Sequence, residues 1–470
     1  MNTAAGAGVV QLVLRYVLGF LINFAGTVVI ARTGGPGLWG IFAISQVILS
    51  LSAFVSIGCW GYLIQKSEEP DEATIGNCYT FQTGLSLVWT LTVVGFSPFA
   101  ARYLESNEIV PLLAATAAGG FFYGWRFIAC SHSERTLNYR ISSLTELSEA
   151  AVFTVTTLMF AASGEIFKGI IIGNFLRCVV SMVIAHVMAR QRVFFRFDSQ
   201  LIKQVAGYGL PYIGSNVLAW LPVNAGPILA GSTLGVREMG LMQLGYRTVE
   251  YARVIVTIAS RISLGFFSRN AGDSDKMHDL TKKALHLLYF PLVPGIGMLV
   301  AMSPLWVPRI YGQEWMRVTM VMIIILFPFL VMSMTYLLAS LLQSRGNSRT
   351  PFMFFLGLNI LYWPSVYGIT PLLGYFGPPV AEWLVLASCS ILLLGLKRSG
   401  IAIGIFIRYA ILLLCISGLF GVVWYLLYRG FLLEGIGMCF AIVILWVVLS
   451  PVKQEVRQWF SGMYTRKLPL

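Results

Sequence analysis

Long apolar blocks run the length of this chain, separated by short polar or glycine-containing turns. A hydropathy window of about 19 residues places about fourteen of them. They lie near 9–31, 39–64, 76–101, 109–131, 146–163, 167–189, 205–232, 240–267, 282–303, 317–342, 352–371, 378–396, 401–427 and 431–450. Each is long enough to cross the hydrocarbon core as a helix, which takes roughly 20 residues. The fifth is the least apolar at its start, where Glu146 and Glu149 stand. The pattern therefore predicts an all-α integral membrane protein of about 14 transmembrane helices.

Composition agrees with the pattern. Only 11% of residues are charged and the mean hydropathy is +0.77, whereas a soluble protein has about a quarter of its residues charged. The opening MNTAAGAGVVQ lacks a basic region, and Arg15 interrupts the first apolar run, so a retained first span is expected. No connection is long enough to hold a separate domain. Seven cysteines lie in or beside apolar runs without metal-ligand spacing, and His132, His186, His278 and His286 are scattered. Neither a disulfide framework nor a metal site is expected, and no cofactor beyond coupling to a proton or sodium gradient.

The net charge of +13 follows from topology. If the N-terminus is cytoplasmic, 19 Lys and Arg fall in loops and tail on that side, seven on the other, and seven inside spans. The positive-inside rule then places both termini in the cytoplasm and leaves no nucleic-acid surface to explain.

The turn after the first span recurs 200 residues later. Gly35 corresponds to Gly235 and Gly40 to Gly240, each time with a span ending, a glycine turn, and a new span opening on glycine. Six spans separate the copies, so the repeats share one orientation. The expected organisation is an N-terminal six-helix lobe at 1–200, a second at 201–398, and two further helices with a cytoplasmic tail at 399–470. A central cavity would lie between the lobes.

The charges inside spans are the candidate chemistry. The stretch from Gly240 to Arg269 carries Arg247, Glu250, Arg253 and Arg261, and Arg15, Arg126, Arg177 and Arg408 lie in other spans. On an ideal helix Arg247, Glu250 and Arg261 fall within about 60° of one another, with Arg253 to one side. One charge at the bilayer centre costs about 2.5–3.5 kcal/mol, so seven lipid-facing arginines would cost on the order of 20 kcal/mol. Several must point inward. Either Glu250 pairs locally with Arg247 or Arg253 while Arg261 snorkels, or a basic aqueous cavity handles an anionic ligand. For Arg126 and Arg408 a structural or snorkelling role is the expectation. The planar guanidinium fork suits phosphate oxygens. The substrate-binding candidates are Arg15, Arg177, Arg247, Glu250, Arg253 and Arg261, with the amides Asn216 and Asn224 for hydroxyl groups or interhelical bonding. Two carboxylates are placed for ion coupling, Glu250 and Glu382; Glu250 reads as a fixed ionised partner of arginine and Glu382 as simply interfacial, so neither is a strong proton-relay candidate. Pro211, Pro222 and Pro227 in the seventh span, and Pro291 and Pro294 in the ninth, mark hinges or static kinks.

Ala31-Arg32, Gly35-Pro36 and Trp39-Gly40 after the first span, with Tyr208-Gly209-Leu210-Pro211, Gly240-Leu241, Tyr246-Arg247 and Ser268-Arg269, give the chain a family likeness. It resembles the Wzx-type polysaccharide and O-antigen flippases of the multidrug/oligosaccharidyl-lipid/polysaccharide exporter superfamily. Family members often carry an Asp-Arg pair where this chain has Gly226-Pro227, and Pro where it has Gly265. The resemblance implies alternating access in a bacterial inner membrane, with a polyprenyl diphosphate glycan as substrate. It also implies membrane lipids as surroundings and a polysaccharide polymerase and export proteins as partners. A cation-coupled drug exporter of the same fold is the second reading. A membrane glycan polymerase or ligase is the third, and the absence of a large outer loop or a nucleophile–base pair counts against it.

Overall fold

The computed structural model describes residues 3–65, 70–135, 140–253, 274–344, 349–398 and 403–449, with residues 255, 256, 259 and 267. Every regular element among them is helical, as expected where lipid leaves backbone groups no partner but their own helix. Contacts group the chain into two compact units, Met1–Gln243 and Leu244–Leu470.

In the first unit, α1 (Thr3–Gln65) turns at Gly35, whose φ of 64° and ψ of −176° only glycine adopts readily. Its two arms, 3–34 and 36–65, are the first two expected spans. They are followed by α2 (Glu72–Tyr103), α3 (Ile109–Gly120), α4 (Tyr123–Arg135), α5 (Arg140–Ala162), α6 (Ile166–Ala189) and α7 (Ser199–Leu234). The block expected over 109–131 is two helices that part after Gly119-Gly120. A Cβ on Gly119 would meet the Asn174 carbonyl oxygen at 3.0 Å, and one on Gly120 the Ser52 hydroxyl at 2.5 Å. These glycines admit close neighbours and weaken the helix at the same point. The backbone of α7 stays helical through Pro211, Pro222 and Pro227. It packs on α1 through Tyr62–Tyr208, Trp60–Tyr212 and Phe54–Trp220 ring contacts.

The second unit contains α9 (Ser274–Ala301), α10 (Ser303–Ile310), α11 (Val318–Ser344), α12 (Arg349–Leu373), α13 (Gly377–Val385), α14 (Cys389–Arg398), α15 (Gly404–Tyr428) and α16 (Leu432–Leu449). Helix α8 (Val236–Glu250) begins in the first unit and ends in the second. The twelfth expected span is divided by a 3-10 turn at Leu386–Ser388. The Tyr289 hydroxyl on α9 donates to the Leu330 carbonyl at 2.8 Å, and Trp446 on α16 donates to the Phe290 carbonyl at 3.3 Å.

The medium these helices face is written in α2. Its buried positions include Thr74, Asn77, Gln82, Ser86 and Ser97, while Val88 and Leu91 are each 62% exposed. That inversion is stable only if the surroundings are hydrocarbon and the interior supplies hydrogen bonds. Eight helical stretches among the described residues are long and apolar enough to cross a membrane. Two of them, Leu18–Ile64 and Arg349–Lys397, have 47 and 49 residues, which at 1.5 Å per residue is about twice the hydrocarbon thickness. The protein is a multi-pass membrane protein.

Candidate functional site

The first unit holds a buried polar layer between α1, α3, α4, α5 and α6. Asn174 donates to the hydroxyls of Ser45 and Thr116 at 3.1 and 3.2 Å. One turn along α6, Arg177 donates to Gln46 Oε1 at 3.1 Å and lies over the Phe153 ring at 4.7 Å. Phe153 stacks on Phe42, and Phe42 packs against Trp39, so the motif that opens the second arm of α1 also supports Arg177.

Beside this layer, Arg126 of α4 forms an ion pair with Glu149 of α5, to which the Tyr123 hydroxyl also donates. The guanidinium lies between the rings of Tyr123 and Phe127. This pairing accounts for the polar start of the fifth span: Glu149 neutralises a cation only 7% exposed. It also gives Arg126 a structural place. The pairings of Glu149 and Gln46 could not be read from the sequence because their partners are 23 and 131 residues away.

The second unit holds the other group. Helix α8 stops at Glu250, residues 251 and 252 form a turn, and Arg253 is helical again. Its Nη2 donates to Glu250 Oε1 at 3.0 Å, and its Nη1 donates to the Tyr336 hydroxyl on α11 at 3.0 Å. Of the two local pairings open to Glu250, with Arg247 or with Arg253, the structure forms the second, at the i,i+3 spacing of a helix. Arg247 is exposed and lies over the Tyr251 ring at 5.7 Å, with no acid in ion-pair range among the described residues. Glu382 is half-buried on α13 beside Tyr246 and Tyr362, within electrostatic reach of Arg253 and Glu250. Sequence spacing gave no sign of this cluster, because α8, α11, α12 and α13 supply one or two members each.

The other expected site residues are distributed as follows. Asn216 and Asn224 each donate the side-chain amide to the carbonyl four residues earlier in α7, those of Tyr212 and Trp220. Arg408 is exposed on α15. Arg261 and the side chain of Arg15 lie outside the described residues. All seven cysteines are free, and no group of three potential metal ligands occurs among the described residues.

Among the described residues the protein is an all-helical, multi-pass membrane body that holds Arg177 inside a candidate span. The chain belongs to the family described as polysaccharide biosynthesis protein, whose model matches residues 29–320. It is 21% identical over 344 residues to the lipopolysaccharide biosynthesis protein WzxC of Escherichia coli, covering 72% of this chain and 69% of that one. It is 24% identical over 285 residues to the probable flippase AglR of Haloferax volcanii, covering 57% of each. Among solved structures, the lipid II flippase MurJ in an inward closed conformation superposes with a TM-score of 0.69 at 13% identity, covering 92% of this chain and 97% of that one. An inward-facing multidrug transporter of the MATE family gives 0.67 at 14% identity, with 81% and 94% coverage. At such identities these two likenesses establish the fold.

Proposed function

We propose that this protein translocates a lipid-linked oligosaccharide, a glycan on polyprenyl diphosphate, across a bacterial inner membrane by alternating access. The reading rests on membership of the polysaccharide biosynthesis family together with one observation. Arg247 and Arg253 belong to the eighth expected span, one without an acid partner among the described residues and the other oriented by Glu250 and Tyr336. Two guanidiniums there would suit a diphosphate, whose oxygens accept paired hydrogen bonds. Arg177, Arg15 and Arg261 would add positive charge along the path, and Asn216 and Asn224 would meet sugar hydroxyls.

No bond is made or broken in this process, so the protein acts as a transporter and not as an enzyme. Both termini are cytoplasmic by the positive-inside rule. A polysaccharide polymerase and export proteins would receive the product, and no nucleic acid is involved. A proton or sodium gradient would drive the cycle, with the Glu250–Arg253–Glu382 group as the place where an ion is exchanged.

The likeness to multidrug transporters supports a second reading, efflux of a cationic drug. It is weaker because Glu149 and Glu250, which a cation would need, are each engaged by an arginine. The deciding experiment reconstitutes the protein in vesicles with a labelled polyprenyl diphosphate oligosaccharide and follows its appearance in the opposite leaflet. Transport is expected to collapse in the Arg247→Ala, Arg253→Ala double variant. Full transport by that variant would end the phosphate-docking assignment.

A further inference from the structure

A groove of about 410 Å³ runs along the first unit between the first arm of α1, α5 and α6. Leu18 and Ile22 line it from α1, Leu144, Leu147 and Ala151 from α5, and Met188 from α6. The one polar lining residue, Ser148, turns its hydroxyl to the Thr145 carbonyl at 2.7 Å, so the groove offers a ligand no hydrogen-bonding group. Its interior is built for hydrocarbon alone.

One end is different. Arg140, Leu144, Leu147, Ser148 and Ala151 recur at helical spacing and share a face of α5, with exposed Arg140 one turn beyond the groove. On the other wall α6 ends just after Met188. Arg190 closes it in a left-handed conformation at φ 51°, and Arg192 follows, both exposed. Three arginines thus stand at the same end of an apolar trough. From Leu144 to Ala151 the trough is about 10 Å long.

We propose that this groove holds the segment of a single prenyl chain next to its diphosphate, which the arginines at the mouth receive. The assignment rests on the transport reading above and adds a tail-binding site on the first unit. Charge decides between occupants. A bilayer phospholipid brings two acyl chains and one phosphate, whereas a prenyl diphosphate joins one branched chain to two adjacent phosphates, matching one trough and several guanidiniums. The site would capture the carrier at the cytoplasmic face, where these arginines lie by the positive-inside rule.

The test uses the full chain in lipid nanodiscs and a farnesyl diphosphate bearing a photoreactive group on its first isoprene unit. Labelling is expected on peptides containing residues 144–151 and 184–188. It should fall at least fivefold in the Arg140→Gln, Arg190→Gln, Arg192→Gln variant. It should fall equally when Ser148→Cys, in a Cys415→Ser background, is alkylated with a bulky maleimide after purification, which blocks the groove in protein already folded. Excess prenyl phosphate should compete and phosphatidylglycerol should not. Labelling elsewhere, labelling unaffected by the alkylated cysteine, or equal competition by phosphatidylglycerol would overturn the assignment. Deletion of the whole chain separates the two claims. If glycan export survives deletion, the transport reading fails; if export is lost but labelling misses the groove, only the groove assignment fails.

Discussion

Gly40 and Gly240, 200 residues apart in sequence, meet backbone to backbone. A Cβ on Gly40 would stand 1.9 Å from the Val236 carbonyl oxygen, and a Cβ on Gly240 would stand 1.9 Å from the Pro36 carbonyl oxygen. The contact is reciprocal, as a local two-fold requires, and the residues preceding each by five, Gly35 and Gly235, both take positive φ, 64° and 81°. The two copies of the turn therefore pack against each other through matching positions. Gly40→Ala and Gly240→Ala should each destabilise the protein by about 1–3 kcal/mol or more through overpacking. Thermal melting of the detergent-solubilised protein checks this, with Gly37→Ala as the control because that position faces open space.

The Arg126–Glu149 pair predicts an asymmetry between single and double variants. Glu149→Ala leaves a guanidinium buried without its counter-charge and should cost about 3–5 kcal/mol. Arg126→Met with Glu149→Leu removes both charges and should recover most of that loss. A Glu149→Ala protein that melts like the parent would show that the pair carries no such weight.

Arg253 is held from two sides, by Glu250 and by the Tyr336 hydroxyl, and the transport reading makes that orientation matter. Tyr336→Phe removes a hydrogen bond to a charged group, worth about 1.5–3 kcal/mol, and should lower transport about tenfold while the protein inserts normally. Arg253→Lys keeps the charge but loses the fork, so it should resemble Arg253→Ala more than the parent. Initial rates in reconstituted vesicles decide both.

Glu382 supplies the test of ion coupling. If an ion exchanges at the group it forms with Glu250, Arg253, Tyr246 and Tyr362, Glu382→Gln should transport at a rate indifferent to an imposed gradient. Rates measured with a proton gradient, a sodium gradient and neither would identify the ion. A variant that still responds to the same gradient as the parent removes Glu382 from that role.

Much of the architecture could be read without coordinates because lipid imposes it. Where the structure describes the apolar blocks they are helical, and the recurring glycine turn places a positive-φ glycine at both Gly35 and Gly235. The breaks inside blocks were less legible. Gly119-Gly120 and the turn after Glu250 depend on what packs beside them, which hydropathy averages away. The surroundings of Glu382 could not be read from its spacing, because its neighbours Tyr246 and Tyr362 come from other helices.

Sequence alone determined that the chain lives in a membrane, that its interior must shelter positive charge, and that one turn is used twice. These follow from transfer energies and from glycine's freedom at positive φ, properties that act residue by residue. Tertiary structure alone decided which arginine meets which distant partner: Arg126 with Glu149, Arg177 with Gln46, Arg253 with Tyr336. A hydrogen bond needs two atoms within about 3 Å, and that proximity is created only when helices distant in sequence pack side by side.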